Sequence, residues 1–79
     1  MRADIQNLSD EIQQAVGLLR RRLWLEGAIN TVIEAEQELS DSVEMIELAE
    51  MEDDSEMVEE AVAGLDRLAE RMRRAQQGQ

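Results

Sequence analysis

The 79-residue sequence contains no histidine, cysteine, lysine or tyrosine. These residue types supply most of the general bases, thiol nucleophiles and Schiff-base amines that enzymes use. Its four serines, at positions 9, 40, 42 and 55, therefore have no suitable base to activate them. We expect no catalytic residue in this chain and no enzyme activity.

The missing cysteine also excludes disulfides and thiolate metal sites. Acidic residues cluster at Asp53, Asp54 and Glu56, but this segment lacks the glycine and the twelve-residue ligand spacing of a calcium loop. No glycine-rich phosphate loop is present either. The sequence therefore predicts that the protein uses no metal and no cofactor.

Long apolar runs are missing as well. No run approaches the roughly 20 residues that span a membrane, and the first residues lack the apolar core of a signal peptide. The sequence thus predicts a cytoplasmic protein that has no membrane partner.

Proline is absent, glycine occurs four times, and Trp24 is the only aromatic residue. A single aromatic side chain leaves little material for an apolar ligand pocket or a base-stacking platform. The remaining residues are mostly good helix formers such as Ala, Leu, Glu, Gln, Arg and Met. The composition predicts an all-α fold, and the length predicts a single helical domain over residues 1–79.

The charge is negative and unevenly placed. A net charge of −11 argues against nucleic acid as the main ligand, since phosphate binding needs clustered cations. Residues 34–60 hold thirteen acids and no base, whereas seven of the eight arginines lie in two clusters, at 20–22 and 67–74. The candidate interaction residues are Arg20, Arg21, Arg22, Arg67, Arg71 and Arg74, together with Glu44, Glu47, Glu56 and Glu59.

Apolar residues recur at spacings of three and four, which is typical of amphipathic helices. The pattern predicts helices at about 3–23, 28–51 and 54–75, with a frayed tail at 76–79. The first stripe is Ile5, Leu8, Ile12, Ala15/Val16, Leu19 and Leu23. The second is Ile29, Val32/Ile33, Leu39, Val43 and Ile46, and the third is Val58, Ala61, Leu65, Leu68 and Met72.

The stripes are interrupted at residues 24–28 and again near Asp53. Residues 24–28 break the register beside Gly27, which favours a tight turn, although one continuous helix of some 48 residues is also compatible. Asp53 is predicted to be the N-cap of the last helix, with Glu56 completing a capping box. A turn at residues 24–28 predicts that Trp24 packs between helices. Gly17 indicates either a tolerated imperfection or a close helix crossing.

The simplest architecture for three stripes is a small antiparallel three-helix bundle. In it the first and third helices run parallel, which places the arginine clusters side by side and the acids at the opposite end. We expect such a bundle to be monomeric at low micromolar concentration. The alternative is a long-helix hairpin that exposes its first stripe and dimerises as a coiled coil.

Two segments resemble bacterial peptide chain release factor 2. Residues 1–23, MRADIQNLSDEIQQAVGLLRRRL, resemble the start of that family, and residues 42–63, SVEMIELAEMEDDSEMVEEAVA, resemble later helices of its N-terminal domain. In the family, a longer first helix passes through a proline- and tryptophan-containing loop into a longer second helix. In this sequence, the residues that would form the tip of that helical hairpin are missing after Trp24, which favours the turn near Gly27.

The resemblance implies a role in translation through protein contacts, with the ribosomal stalk-base region or release factor 3 as partner. The 79 residues contain neither the family's stop-codon-reading domain nor its Gly-Gly-Gln loop, so the implied module is non-catalytic. The alternative from the residues alone is a small acidic helical adaptor, or a self-associating coiled-coil protein, with no ribosomal role.

Overall fold

The computed structural model describes residues 2–77, which form three α-helices of 23 residues each. Helix α1 covers Ala3–Leu25, α2 covers Ile29–Met51 and α3 covers Ser55–Gln77. They pack into an elongated bundle measuring 43 × 19 × 15 Å. The predicted all-α antiparallel three-helix bundle is confirmed, and the continuous long helix is wrong because α1 ends at Leu25.

The helix ends differ slightly from those predicted. Helix α1 runs two residues past the predicted end at 23, and α3 runs two residues past 75. The part of the predicted frayed tail that the structure describes, Gln76 and Gln77, is therefore helical, while residues 78 and 79 lie outside the described residues.

The turn between α1 and α2 depends on Gly27. Its φ of 76° lies in the left-handed region, which glycine adopts without a steric penalty. The Gly27 amide donates to the Trp24 carbonyl at 3.1 Å, and the Ala28 amide donates to the Leu23 carbonyl at 2.7 Å. This pair of bonds is a Schellman motif, which satisfies the last carbonyls of α1.

The turn between α2 and α3 repeats that geometry with aspartate in place of glycine. Asp53 has a φ of 57°, and its amide donates to the Glu50 carbonyl at 3.2 Å. The next amide, of Asp54, donates to the Ala49 carbonyl at 2.9 Å. The Asp54 side chain then accepts the Met57 amide at 3.1 Å, which caps α3.

The predicted N-cap at Asp53 is therefore wrong by one residue. An N-cap residue has extended backbone, but Asp53 occupies the left-handed position that ends α2. Asp54 is the first residue free to take the capping role.

The core lies along the axis of the bundle and takes one stripe from each helix. Ile46 and Leu65 are 0% exposed. The predicted stripes supply most of the buried positions, but small residues that the periodicity left out are buried too. These additional buried residues are Ser9, Ala35, Ala49 and Ala69. Small side chains let the helix backbones approach, so that the larger residues interdigitate without voids.

Two polar contacts tie α1 to α3 and show that these helices run parallel. The Arg73 guanidinium donates to both Glu11 carboxylate oxygens, at 2.6 and 2.9 Å. Further along both helices, an Arg22 Nη donates to the Ala75 carbonyl at 3.0 Å. The bidentate hydrogen bond from Arg73 lowers the pKa of Glu11 below its ordinary value.

Replacing Leu65 by alanine should lower the free energy of unfolding by about 2–5 kcal/mol, because it leaves a cavity at a fully buried position. Ile46→Ala should act similarly. Chemical denaturation followed by circular dichroism measures both. Leu18→Ala is the matched control, since Leu18 is exposed and should contribute little. Equal stability of the Leu65 and Leu18 variants would contradict the assigned core.

The two turns should respond to opposite substitutions. Gly27→Ala should destabilise the bundle by about 1 kcal/mol, because a Cβ disfavours the left-handed backbone at this position. Asp53→Gly should instead stabilise it by a similar amount, since the same strain is relieved. Thermal melts of both variants at one low protein concentration test this. Shifts of the same sign would exclude backbone strain as the cause.

The Glu11–Arg73 pair should make stability depend on pH in a defined direction. Because the folded pKa of Glu11 is lowered, its contribution is present above its ordinary pKa and is lost as pH falls through the folded value. Glu11→Gln should therefore lower the melting temperature at pH about 7 but hardly at pH about 2. The control is Glu34→Gln, at a carboxylate with no ion pair among residues 2–77. A Glu11→Gln effect that is equal at both pH values would refute the pairing.

Candidate interaction surfaces

The two arginine clusters lie at the same end of the bundle, as the parallel course of α1 and α3 requires. Arg20, Arg21 and Arg22 occupy the last turns of α1, and Arg71 and Arg74 occupy the last turns of α3. The hydrogen bond from α1 to the last turn of α3 brings the two ends together. Because Arg22 makes that bond and is half-buried, its guanidinium serves the bundle itself.

Most of the other arginines are held against carboxylates of the same chain. Arg20 forms an ion pair and a hydrogen bond with Glu36 of α2. Arg71 forms the same kind of contact with Glu38, also of α2. These pairs join α2 to both of its neighbours. They also neutralise the charge that a phosphate ligand would need.

The remaining candidate arginines differ in their surroundings. Arg74 lies 3.5 Å from Glu70, four residues earlier on the same helix. Arg21 and Arg67 have no ion pair among residues 2–77. Arg67, Arg71 and Arg74 share a groove of about 500 Å³ between α2 and α3 with the carboxylates Glu38, Asp41 and Glu70. Most of its lining side chains are charged, whereas small-molecule sites are lined mainly by large apolar and aromatic side chains.

The candidate acids lie near the opposite end and are largely uncompensated. Glu44, Glu47 and Glu56 are exposed and have no ion pair within the described residues. Glu59 lies 3.8 Å from Arg2. Arg2 is the one basic residue in the sequence before position 20, so little positive charge is within reach of this end.

Dividing each helix at its middle residue shows how unevenly the charge is distributed along the bundle. Residues 15–39 and 67–77, here the basic half, carry seven arginines and five carboxylates. Residues 2–14 and 40–66, the acidic half, carry one arginine and fourteen carboxylates. The formal charges are therefore about +2 and −13. The predicted separation of charge along the bundle is present, and most of the imbalance lies in the acidic half.

Trp24 does not pack between helices, so that prediction is wrong. The side chain is 67% exposed, because α1 continues through Leu25 and carries Trp24 off the buried stripe. It lines an open groove of about 580 Å³ between α1 and α2. We name this surface the tryptophan groove; its lining residues are Gly17, Arg20, Arg21, Trp24, Ile29 and Ile33.

Gly17 lies on this groove and not at a helix crossing. A Cβ added at Gly17 would meet no atom within 4 Å, so the close-crossing interpretation is wrong. Ile33, which the periodicity paired with Val32 as a core position, is 53% exposed on the other wall. The sequence signal for this groove was the register break after Leu23, which takes Trp24 out of the stripe.

A second exposed apolar surface lies on the acidic half. Met45, Leu48 and Met51 of α2 are all exposed, and Met51 is 83% exposed. Glu44 lies four residues before Leu48 and Glu47 four residues before Met51 on the same helix, which makes each pair surface neighbours. We name these five residues the methionine face. Sequence periodicity did not find it, since all three apolar residues fall outside the core stripe.

Within the described residues, no helix is both long and apolar enough to cross a membrane. The surfaces above are open and charged or weakly apolar, and they suit contacts with other macromolecules better than enclosure of a small ligand.

Comparison with known proteins identifies two similar sequences. The chain is 43% identical over 70 residues to peptide chain release factor 2 of Ruegeria sp. (strain TM1040), covering 89% of this chain and 19% of that protein. It is 39% identical over 69 residues to peptide chain release factor 2 of Roseobacter denitrificans (strain ATCC 33942 / OCh 114), covering 87% of this chain and 18% of that protein.

No protein-family model matches the chain. No solved structure matches it. The chain spans about a fifth of the length of the curated relatives it matches. The resemblance inferred from residues 1–23 and 42–63 is nevertheless confirmed: over nearly all of its length, this chain is similar to a segment of peptide chain release factor 2.

Proposed function

We propose that the chain is a non-catalytic, release-factor-like helical domain that takes part in translation termination through protein contacts at the ribosome. The observation that carries this proposal is the similarity to release factor 2 over 70 residues, at 43% identity. An identity of this size extends over surface as well as core positions, since the core accounts for a minority of the residues.

The non-catalytic part of the proposal rests on residue chemistry. The 79 residues contain no Gly-Gly-Gln loop and no histidine, cysteine, lysine or tyrosine. The carboxylates of the acidic half are solvated on a helical surface and do not form a pair in a dry cleft. By resemblance, the partner is the ribosomal stalk-base region or release factor 3, and the site of action is the cytoplasm.

The acidic half is the better candidate for that contact. Glu44, Glu47 and Glu56 have no ion pair among residues 2–77, so binding a basic ribosomal protein requires no internal pair to be broken. In the basic half, Arg20 and Arg71 would have to give up their pairs with Glu36 and Glu38 to bind phosphate, which leaves Arg21 and Arg67 as the candidate arginines with no ion pair among residues 2–77. With a net charge of −11, the chain is also repelled by ribosomal RNA at long range.

Co-sedimentation with ribosomes tests this assignment. The wild-type chain should pellet with ribosomes, and the triple variant Glu44→Gln, Glu47→Gln, Glu56→Gln should bind at least about tenfold more weakly, because the attraction to a basic partner is removed. A matched control variant makes the same change of net charge at three other exposed acids: Asp10→Asn, Glu34→Gln and Asp66→Asn.

The control variant should bind as the wild type does. Equal weakening by both triples would indicate that bulk charge governs binding, and a wild-type chain that never pellets would refute the translational role. In a release assay, the 79-residue chain should promote no stop-codon-dependent peptide release at any concentration. Release above background would refute the non-catalytic role.

The alternative function is a small acidic helical adaptor, or a self-associating coiled-coil protein, with no ribosomal role. The exposed apolar residues of the tryptophan groove and the methionine face favour it, because clusters of this kind mark protein contacts. Absence of ribosome binding together with binding to another protein would support the alternative over the first proposal.

A further inference from the structure

The tryptophan groove and the methionine face lie in opposite halves of the bundle. The groove, with Trp24 and Ile33 on its walls, belongs to the basic half, and the face, with Leu48 and Met51, belongs to the acidic half. Neither is covered by the described part of the chain. Each therefore leaves apolar surface in water that a suitable partner would bury.

We propose that the tryptophan groove of one copy of this chain binds the methionine face of a second copy, so that the bundles associate head to tail. In this contact Met51 and Leu48 enter the groove beside Trp24, while Glu44 and Glu47 face Arg21. The proposal is independent of any role at the ribosome.

Charge complementarity selects this pairing over the two symmetric ones. Arg21 at the edge of the groove and Glu44 and Glu47 on the face have no ion pair among residues 2–77. Two grooves placed together would oppose Arg21 to Arg21, and two faces would oppose carboxylates to carboxylates, which is repulsive in both cases. Joining the basic half of one copy to the acidic half of the next also aligns the charge separation of the two bundles.

The shapes of the two surfaces fit this role. Gly17 leaves the groove open, because no side chain rises from its floor and no atom lies within 4 Å of where a Cβ would stand. Methionine side chains are flexible and polarisable, so they adapt to irregular apolar grooves. A groove of about 580 Å³ admits only a few such side chains, which limits the area buried.

The small contact area predicts weak association. Interfaces below about 1,200 Å² are typical of weak, transient complexes, so we expect monomers at low micromolar concentration and assembly at hundreds of micromolar. Salt at physiological strength screens charges beyond about 8 Å. The local pairs at the contact therefore outweigh the repulsion between two chains of net charge −11. Because a head-to-tail contact uses different surfaces, it does not close on itself, and assembly grows with concentration.

Trp24 is the only tryptophan, so its fluorescence reports directly on the groove. From about 10 μM to about 1 mM, the emission maximum should shift to shorter wavelength as Trp24 leaves water. Over the same range the mass from sedimentation equilibrium should rise from 9.0 kDa to more than twice that value. An unchanged emission maximum, or a mass that stops at a dimer, overturns the proposal.

Two variants make the test specific. A groove variant, Arg21→Glu, and a face variant, Glu44→Lys with Glu47→Lys, should each remain monomeric at about 1 mM. Mixed in equal amounts they should form a complex of only two chains, because the groove variant keeps an intact face and the face variant keeps an intact groove. Arg67→Glu, a charge reversal outside both surfaces, should assemble like the wild type.

Circular dichroism of each variant shows that the bundle is folded. If the mixed variants stay monomeric, or if either variant alone assembles as the wild type does, the head-to-tail contact is refuted. Loss of assembly in Arg67→Glu also refutes it, since a loss at a remote site would point to bulk charge. None of these measurements involves ribosomes, so failure of this proposal leaves the proposed function untouched, and the reverse also holds.

Discussion

The structure depends on one constraint: each of three equal helices must bury a single narrow stripe against the other two. The chain has no disulfide and only 79 residues, so close packing is its main source of stability. Ile46 and Leu65 fill the centre, and buried alanines such as Ala49 and Ala69 let the helices approach. Residues outside that stripe are not constrained by core packing, which is why the surface can carry so uneven a charge.

The charged surface is organised by the same packing. Because α1 and α3 run parallel, their arginine-rich last turns meet, and α2 offers Glu36 and Glu38 to neutralise two of those arginines. No comparable supply of arginine exists near Glu44, Glu47 and Glu56. The fold therefore neutralises two arginines of the basic half within the bundle and leaves Glu44, Glu47 and Glu56 of the acidic half without an ion pair among residues 2–77, available to a basic partner.

Sequence reasoning found the helices, the parallel course of the arginine clusters and most of the core, because apolar periodicity reports directly on burial. It misplaced features that depend on backbone geometry at the helix ends. Asp53 was predicted as an N-cap because aspartate favours that position, yet the left-handed residue had to come first. Trp24 was predicted to pack between helices because a turn was expected at residues 24–28, and two extra residues of helix sufficed to expose it.

The surface candidates show a similar division. The sequence identified which arginines and glutamates were present in clusters, but not which of them find partners, since pairs such as Arg73 with Glu11 join residues far apart in the chain. The buried residues Ala35, Ala49 and Ala69 were also missed, because alanine is common on both sides of a helix. Periodicity therefore predicts the architecture well, while individual contacts require the folded arrangement.

The turn at Gly27 has a consequence for how copies of the chain are kept apart. If Gly27 left its φ of 76° for helical backbone, α1 and α2 would join into one long helix. Helix α1 would then leave its own bundle and could pack only into that of another copy, which is domain swapping. The left-handed glycine opposes this exchange because it satisfies the last carbonyls of α1 within a tight turn. A residue without a side chain thus favours the tight turn in which α1 packs within its own chain.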